Sequence, residues 1–578
     1  MTLTEEQKEF LDAEGHIILC ATPGSGKTFI VAKKINEYLK NWQLSHRGIA
    51  ALSFTNVASS EIANQIDIAN IKNIEYPHFI GTIDSFIDNY IFLRFGYLIQ
   101  RENRKRPIIL QENNQQIKNF YWDSECYKKG CVKHLEWFRW SSKGLLKKDK
   151  PIDCTIKLKK CVKYKKEMLQ RGFADQGDVP ALSLILLQKY PQISKALAYR
   201  FPIIIVDEAQ DTSFEQMQIL DCIAEAGIQT IILVGDPDQA LYEWRNATPE
   251  YFKSKMKDNK WKCMYLTNNF RNSQLICNAT QLFSSILKGK GPCIAKGEFA
   301  NCDVKPILLQ VTNETSKEDI ISFFLNLCQK NKIGISSENI AVLTRKKLHS
   351  DIVTDLWKTI ETELLAKASF YWHYSKRKEA YKLCEKVIYN IEFGNMQEMT
   401  DEQIEYIAES TYTLTKWKSK IIKLLKVLPQ PTLTVLEWKY QMINGISKLI
   451  SDKDIKPLIL QDFNNIVKIK SRDNNHPNFL QHKVIDYFEK KEETNFTVSS
   501  VHGVKGETFE AILLIVDKTK GANTLTPNLL NTCNLDNELI RIAYVAMTRP
   551  RKLLVVSMPK TDTNLTRFPQ NLWNYQEM

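Results

Sequence analysis

The sequence predicts an α/β protein built on parallel sheets, and three stretches carry that prediction. Ile17 to Ala21 is an apolar run that stops in the small, Gly-rich turn Thr22, Pro23, Gly24, Ser25, Gly26, Lys27 and Thr28. Phe201 to Val206 is a second apolar run, ending in Asp207 and Glu208. Thr230 to Val234 is a third, ending in Gly235, Asp236, Pro237, Asp238 and Gln239. Short, continuous apolar runs bounded by turn residues read as strands covered on both faces, the parallel-sheet pattern. In such sheets the carboxyl ends of the strands are where ligands bind.

Taken in order, Leu3, Thr4, Glu5, Glu6 and Gln7 open a short helix, with Thr4 as its N-cap. Gln7 lies just upstream of the Gly-rich turn, and its amide both donates and accepts, which suits an adenine edge. After the turn, Phe29 to Leu39 spaces apolar residues at helical intervals, so the turn sits between a strand and a helix, the context a phosphate loop needs. Gly24 and Gly26 let the loop, with Ala21, Thr22, Pro23 and Ser25, wrap the phosphates so that its available N–H groups point at phosphate oxygens at a helix N-terminus. Lys27 adds a charge for the terminal phosphates and Thr28 a hydroxyl for Mg²⁺. These residues point to a nucleoside triphosphate.

Gly48 to Ser53 reads as another buried strand, ending in Phe54, Thr55 and Asn56, and a further apolar-to-polar transition falls at residues 78–86. Either end suits a ligand contact or a plain turn. From 88 to 199 the character changes to helical stretches heavy in Lys, Arg and Trp. This reads as an inserted subdomain whose basic face suits phosphates or plain solvation, with Trp137, Phe138 and Trp140 as stacking or core residues. The strand at 201–206 then returns to the sheet. Asp207 at its end is placed to hold Mg²⁺, and Glu208 to orient or deprotonate an attacking water. After the next strand, Gln239 is a polar sensor candidate, and Tyr242, Trp244 and Arg245 suit base stacking and backbone contact on a single strand.

Bulk properties bound the answer. A chain of 578 residues exceeds one core and suggests roughly three or four folded units. With 43% apolar and 25% charged residues it is globular. Its formal net charge of +13 suits a polyanionic partner or simply a solvated surface. The N-terminus lacks a basic segment followed by an apolar core, and no stretch is long and apolar enough to span a bilayer, so a cytoplasmic protein with no membrane partner is expected. Thirteen cysteines, an odd and scattered count, argue for reduced thiols. Cys126, Cys131, Cys154 and Cys161 share one basic segment, but their spacing matches no paired Cys-x2-Cys metal pattern.

The order of these motifs resembles the UvrD/Rep/PcrA-like helicases of superfamily 1, with the segments at 206–211 and 234–239 close to that family's signatures. The resemblance implies two RecA-like motor domains, each with a mainly helical insertion: 1–87 with 200–265, interrupted by 88–199, and 266–349 with 491–578, interrupted by a reduced insertion at 350–490. It implies that Phe270 stacks on adenine and Arg271 touches the γ-phosphate. Residues 498–506 resemble the motif that couples DNA to nucleotide, with His502 on the DNA side, and residues 543–549 resemble the arginine-finger motif, ending in Arg549. The implied activity is ATP-dependent, Mg²⁺-requiring movement in the 3′ to 5′ direction on single-stranded or tailed duplex DNA.

Several departures stand out. Val57 replaces the family's usual Lys in the first DNA-contacting motif, and Asp84 replaces a common His. Asp84 would repel a phosphate unless it bonds a base or a neighbouring side chain. After Lys505 and Gly506 the usual Leu-Glu-aromatic becomes Glu507, Thr508, Phe509 and Glu510, leaving open which Glu faces the ribose. The strand at 552–557 leaves some twenty residues, too few for the nuclease domain that some relatives fuse to the motor. A compact layout of this kind also resembles the helicase-like subunit of the Gabija anti-phage system. That resemblance implies a different class, a nucleotide-gated DNA sensor beside a separate nuclease subunit of OLD/TOPRIM type.

Overall fold

The computed structural model describes residues 3–66, 76–100, 106–110, 138–142, 144, 146–148, 159–241, 248–288, 291–312, 314–345, 356–374, 376–393, 412–451, 453–455, 466–471, 479–488, 495–516, 524–532, 534–561 and 565–578. Its centre is a pair of six-stranded sheets. The first comprises β1 (Ile17–Ala21), β2 (Ile49–Ser53), β3 (Phe79–Thr82), β4 (Ile203–Val206), β5 (Thr230–Gly235) and β6 (Lys262–Leu266), in the order β6-β1-β5-β4-β2-β3. The second comprises β7 (Ile307–Val311), β8 (Ile340–Thr344), β9 (Thr497–Ser500), β10 (Phe509–Ile515), β11 (Pro550–Pro559) and β12 (Asn574–Glu577), in the order β9-β8-β10-β11-β7-β12. Every pairing within both sheets is parallel.

The apolar runs explain this arrangement. Side chains alternate across a strand, so a run with no polar positions supplies a core on both faces. In the first sheet Ile18, Ala50, Leu52, Ile204 and Val206 enter one core. Their neighbours Ile17, Leu19, Ile49, Ala51, Ile203 and Ile205 enter the other. The second sheet repeats the division, with Leu308, Leu343, Ile512 and Leu514 on one side and Ile307, Leu309, Val342 and Leu513 on the other. The expected α/β class with two parallel sheets is what forms.

The segment between β3 and β4 is less uniformly helical than its composition predicts. It contains helices at Lys159–Gln170, Val179–Lys189 and Pro191–Arg200, but also short strand pairs, Ile108–Leu110 with Phe173–Asp175 and Phe138–Trp140 with Leu146–Lys148. Lys165, 1% exposed, is enclosed there by the carboxylates of Asp175 and Asp178. Trp140 packs against the first-sheet core rather than standing free to stack. Between β8 and β9 lie helices Ile360–His373, Arg377–Phe393, Leu414–Lys426 and Val435–Ser451. Trp417 and Trp438 are fully buried in their shared core, where Trp438 Nε1 donates to Ser369 Oγ at 3.0 Å.

The described cysteines are all free. Cys126, Cys131 and Cys154 lie outside the described residues, as does the side chain of Cys161, and no metal-ligand cluster occurs among the described residues. Among those residues no helix is long and apolar enough to cross a membrane.

Candidate nucleotide site between the two sheets

The phosphate loop joins β1 to helix α2 (Lys27–Lys40). Gly24 and Gly26 hold φ of 74° and 76°, a region that costs a side chain about 1–2 kcal/mol. Gly26 caps α2 without a side-chain hydrogen bond, which leaves first-turn N–H groups aimed outward for an anion. Thr22 is tied down instead, its hydroxyl donating to the Leu266 carbonyl at 2.9 Å. Ser25 is 1% exposed and its Oγ has no hydrogen-bond partner. Thr28 is half-buried in the first turn of α2.

Helix α1 (Glu5–Asp12) begins with a capping box between Thr4 and Gln7, and Gln7 also ties it to this loop. Gln7 Oε1 accepts from the Thr4 N–H at 3.1 Å and Gln7 Nε2 donates to the Ser25 carbonyl at 3.4 Å. Glu6 accepts from the Thr267 N–H at 2.9 Å and from Asn268 Nδ2 at 2.8 Å.

Asp207 and Glu208 leave β4 pointing at Lys27. The ammonium donates to Glu208 Oε1 and lies 3.4 Å from Asp207 Oδ1. Burial opposes the Lys27 charge, but the two carboxylates overcome it and hold its pKa above the ordinary range. Burial likewise opposes the Glu208 charge, and Lys27 and Lys505 reverse the effect, so Glu208 stays ionised below the usual carboxylate range. Asp207 goes the other way, raised chiefly by burial. Glu208 adopts φ of 54°, a strained conformation for a non-glycine residue and one that recurs at functional sites.

Residues around the second sheet complete the cleft. The Phe270 N–H donates to the Gly24 carbonyl at 2.7 Å, and Asn269 Nδ2 donates to the Pro23 carbonyl at 3.0 Å. A Cβ on Gly24 would stand 2.6 Å from Asn269 Oδ1 and 2.9 Å from Arg271 Cβ, so this glycine is required by close approach as well as by φ. Arg271 Nη1 donates to the Thr548 carbonyl at 3.3 Å. Arg549, 3% exposed, donates from Nη2 to Gln239 Oε1 at 2.6 Å. Gln239 Nε2 in turn donates to Asp236 Oδ2 at 2.6 Å. Burial, reinforced by neighbouring Asp238, lifts the Asp236 carboxyl to about 7.

Thus Gln7, Lys27, Asp207, Glu208, Gln239, Phe270, Arg271 and Arg549 converge on one cleft. The expected DNA contacts do not form one described cluster. Phe54 and Thr55 lie at the end of β2, where Thr55 Oγ1 caps the next helix by accepting from the Ala58 N–H at 3.2 Å. His502 is half-buried with Nε2 3.3 Å from the Leu241 carbonyl oxygen, and burial lowers its pKa. Tyr242, Trp244 and Arg245 lie outside the described residues, as does the side chain of Asn56. Asp84 accepts from Gln216 Nε2 at 2.7 Å, the neighbouring-side-chain solution to its altered motif.

Several cleft residues escaped the motif reading. Lys505 Nζ donates to Asp211 Oδ2 and lies 3.8 Å from Glu208 Oε2. Asn272 Nδ2 donates to the Pro550 carbonyl at 2.6 Å. Arg541, on helix α3 (Glu538–Met547), donates to the Ala240 carbonyl at 2.9 Å. Thr508 and Arg551 line the cavity beside the loop, and neither Glu507 nor Glu510 does. Lys505 and Thr508 stand in a segment already singled out, with no role given to them there; the others carry no local signal.

The whole arrangement, a phosphate loop facing Arg271 and, just before β11 of the second sheet, Arg549, agrees with comparison to known proteins. Residues 3–260 match the model of the UvrD/REP helicase N-terminal domain, and residues 373–561 match that of the UvrD-like helicase C-terminal domain. The chain belongs to the UvrD/REP helicase family. Among relatives in this family, a probable DNA helicase II homolog of Mycoplasma pneumoniae is 22% identical over 96% of this chain and 83% of its own length. The ATP-dependent DNA helicase Rep of Buchnera aphidicola subsp. Schizaphis graminum is 24% identical over 97% of this chain and 94% of its own. The Gabija protein GajB of Bacillus cereus is 26% identical over 61% of each chain.

Proposed function

We propose that this chain is an ATP-dependent DNA helicase or translocase that couples ATP hydrolysis to 3′ to 5′ movement on single-stranded DNA. The observation that carries the reading is the bond from Arg549 to Gln239 across the cleft that also holds Lys27, Asp207 and Glu208. Family membership and the helicase relatives support the same reading.

In this mechanism the phosphates lie on the N–H groups of residues 24–28. Lys27 trades Glu208 for phosphate oxygens, which frees the Glu208 carboxylate to orient the attacking water and take its proton. Arg271 and Arg549 stand as fixed cations for charge developing on the transferred phosphoryl group. Thr28 and Asp207 would hold a hydrated Mg²⁺ through one hydroxyl and one buried carboxylate, and when bound that ion would neutralise phosphate charge. Loss of the terminal phosphate removes a shared partner of both sheets, and the cleft opens. A strand lying across Phe54, Thr55, Trp244 and His502 then advances. Displacement of a 3′-tailed duplex but not a 5′-tailed one by the protein alone is the expected result. ATP turnover without displacement of either would overturn the motor.

A second reading, a nucleotide-gated DNA sensor acting with a separate nuclease subunit, rests on similarity to the Gabija protein GajB. Co-purification of a nuclease from the native host, together with absent solo displacement, would select it.

A further inference from the structure

Arg549 follows directly on the end of helix α3, whose last residue is Met547 and whose C-cap is Thr548. A helix end leaves carbonyls with no intrahelical donor, and the residue after Arg549 is Pro550, which has no N–H to offer. Donors for this stretch come from the segment that follows β6. Asn272, 1% exposed, donates from Nδ2 to the Thr548 carbonyl at 3.2 Å and to the Pro550 carbonyl at 2.6 Å. One amide thus grips the chain on both sides of Arg549. Asn272 Oδ1 accepts from Asn269 Nδ2 at 2.8 Å, and the same Asn269 nitrogen donates to the Pro23 carbonyl of the phosphate loop at 3.0 Å. Asn269 Oδ1 accepts from the N–H groups of Arg271 and Asn272, each at 2.8 Å. Both hydrogens on each amide nitrogen are committed, which leaves neither side chain an equivalent flipped orientation. The Ser273 N–H continues the seam, donating to the Arg551 carbonyl at 3.1 Å.

We propose that Asn272, joined through Asn269 to the phosphate loop, is a positioning residue that fixes where Arg549 stands relative to the transferred phosphate. This rests on the ATP-hydrolysis reading above. A cation stabilises a transition state most when it is already in place, because nothing has to reorganise as charge develops, and a misplacement of about 1 Å can cost about 10²-fold in rate. The Arg549 side chain is held by Gln239 Oε1, and by the Val545 carbonyl to which its Nε donates at 3.2 Å. Its backbone is held by Asn272. Both ends of the Asn272 amide are committed to protein groups, so this residue acts through Arg549 and not on the nucleotide.

The test compares DNA-stimulated ATP turnover and calorimetric ADP affinity in the full chain, in Asn272→Ala, in Arg549→Ala and in the double variant. Expected are a kcat lowered by on the order of 10–100-fold in Asn272→Ala with an ADP Kd within about threefold of the parent. Adding Asn272→Ala to Arg549→Ala should cost less than about twofold more, because residues that act as a unit are not additive. Should Asn272→Ala fail to fold, Asn272→Ser, which keeps a donor, carries the same comparison with a smaller loss. The full loss persisting in the Arg549→Ala background, or an ADP Kd raised as much as kcat falls, overturns the positioning role. Parent-like turnover in Asn272→Ala beside an impaired Arg549→Ala overturns that role alone, whereas a parent that turns over no ATP overturns the ATPase assignment with it.

Discussion

Lys27→Met removes a charge and keeps most of the side chain's length. The ammonium it deletes pairs with Glu208 and stands 3.4 Å from Asp207. Two unit charges at that distance attract by about 5 kcal/mol at an effective dielectric of 20, and loss of their hydration takes back much of that. In the variant Glu208 keeps Gln210, at 2.5 Å, and Lys505, at 3.8 Å. Its side chain is also 24% exposed, so the net loss should be about 2 kcal/mol, less than the 3–5 kcal/mol typical of breaking a fully buried pair. The sign with pH follows from the pKa directions. With Lys27 present, Glu208 is held below its unfolded value and contributes stability above that value. With Lys27 gone, burial raises the carboxyls, whose contribution is then lost as pH rises. The deficit is therefore already present near pH 5, above the unfolded value of Glu208, and grows toward pH 8 as the raised carboxyls lose their contribution. Thermal unfolding at both pH values reads the stability, and DNA-stimulated ATP turnover should fall by on the order of 10²–10³-fold or more. Turnover within tenfold of the parent, or an equal stability loss at both pH values, would refute the electrostatic account.

Other variants probe separate parts of the cleft. Asp236 has a folded pKa of about 7, above its unfolded value near 4, so its contribution is full below about pH 4 and lost as pH rises through 7. Asp236→Asn should flatten the fall in thermal stability between pH 5 and pH 7, and an unchanged slope would show that Asp236 does not carry it. Gly24→Ala meets both a φ of 74° and Asn269 Oδ1 at 2.6 Å. It should weaken nucleotide binding at least tenfold by calorimetry, and parent-like affinity would mean that the loop and the Asn269 segment part easily. Asp84→Asn keeps an acceptor for Gln216 and removes a charge. Single-strand affinity at low salt should tighten a few-fold, and no change would place Asp84 off the strand path.

Much of this protein is written locally. Apolar runs without polar interruption determine parallel strands, because both faces must be covered, and the residues at their ends, Gly24 to Thr28 and Asp207 with Glu208, announce phosphate chemistry by type and spacing. Arg271 and Arg549 were legible only through family resemblance, since a lone arginine after a strand or helix has no pattern of its own. Tertiary structure decided the rest. Lys505 meets Asp211 across 294 positions of chain, and Thr508 and Arg551 share a cavity with Phe29. Those contacts depend on β10 lying beside β11 and on the second sheet docking against the phosphate loop. Periodicity records which face of an element is apolar; it holds no information about which polar ends two separately folded sheets bring together.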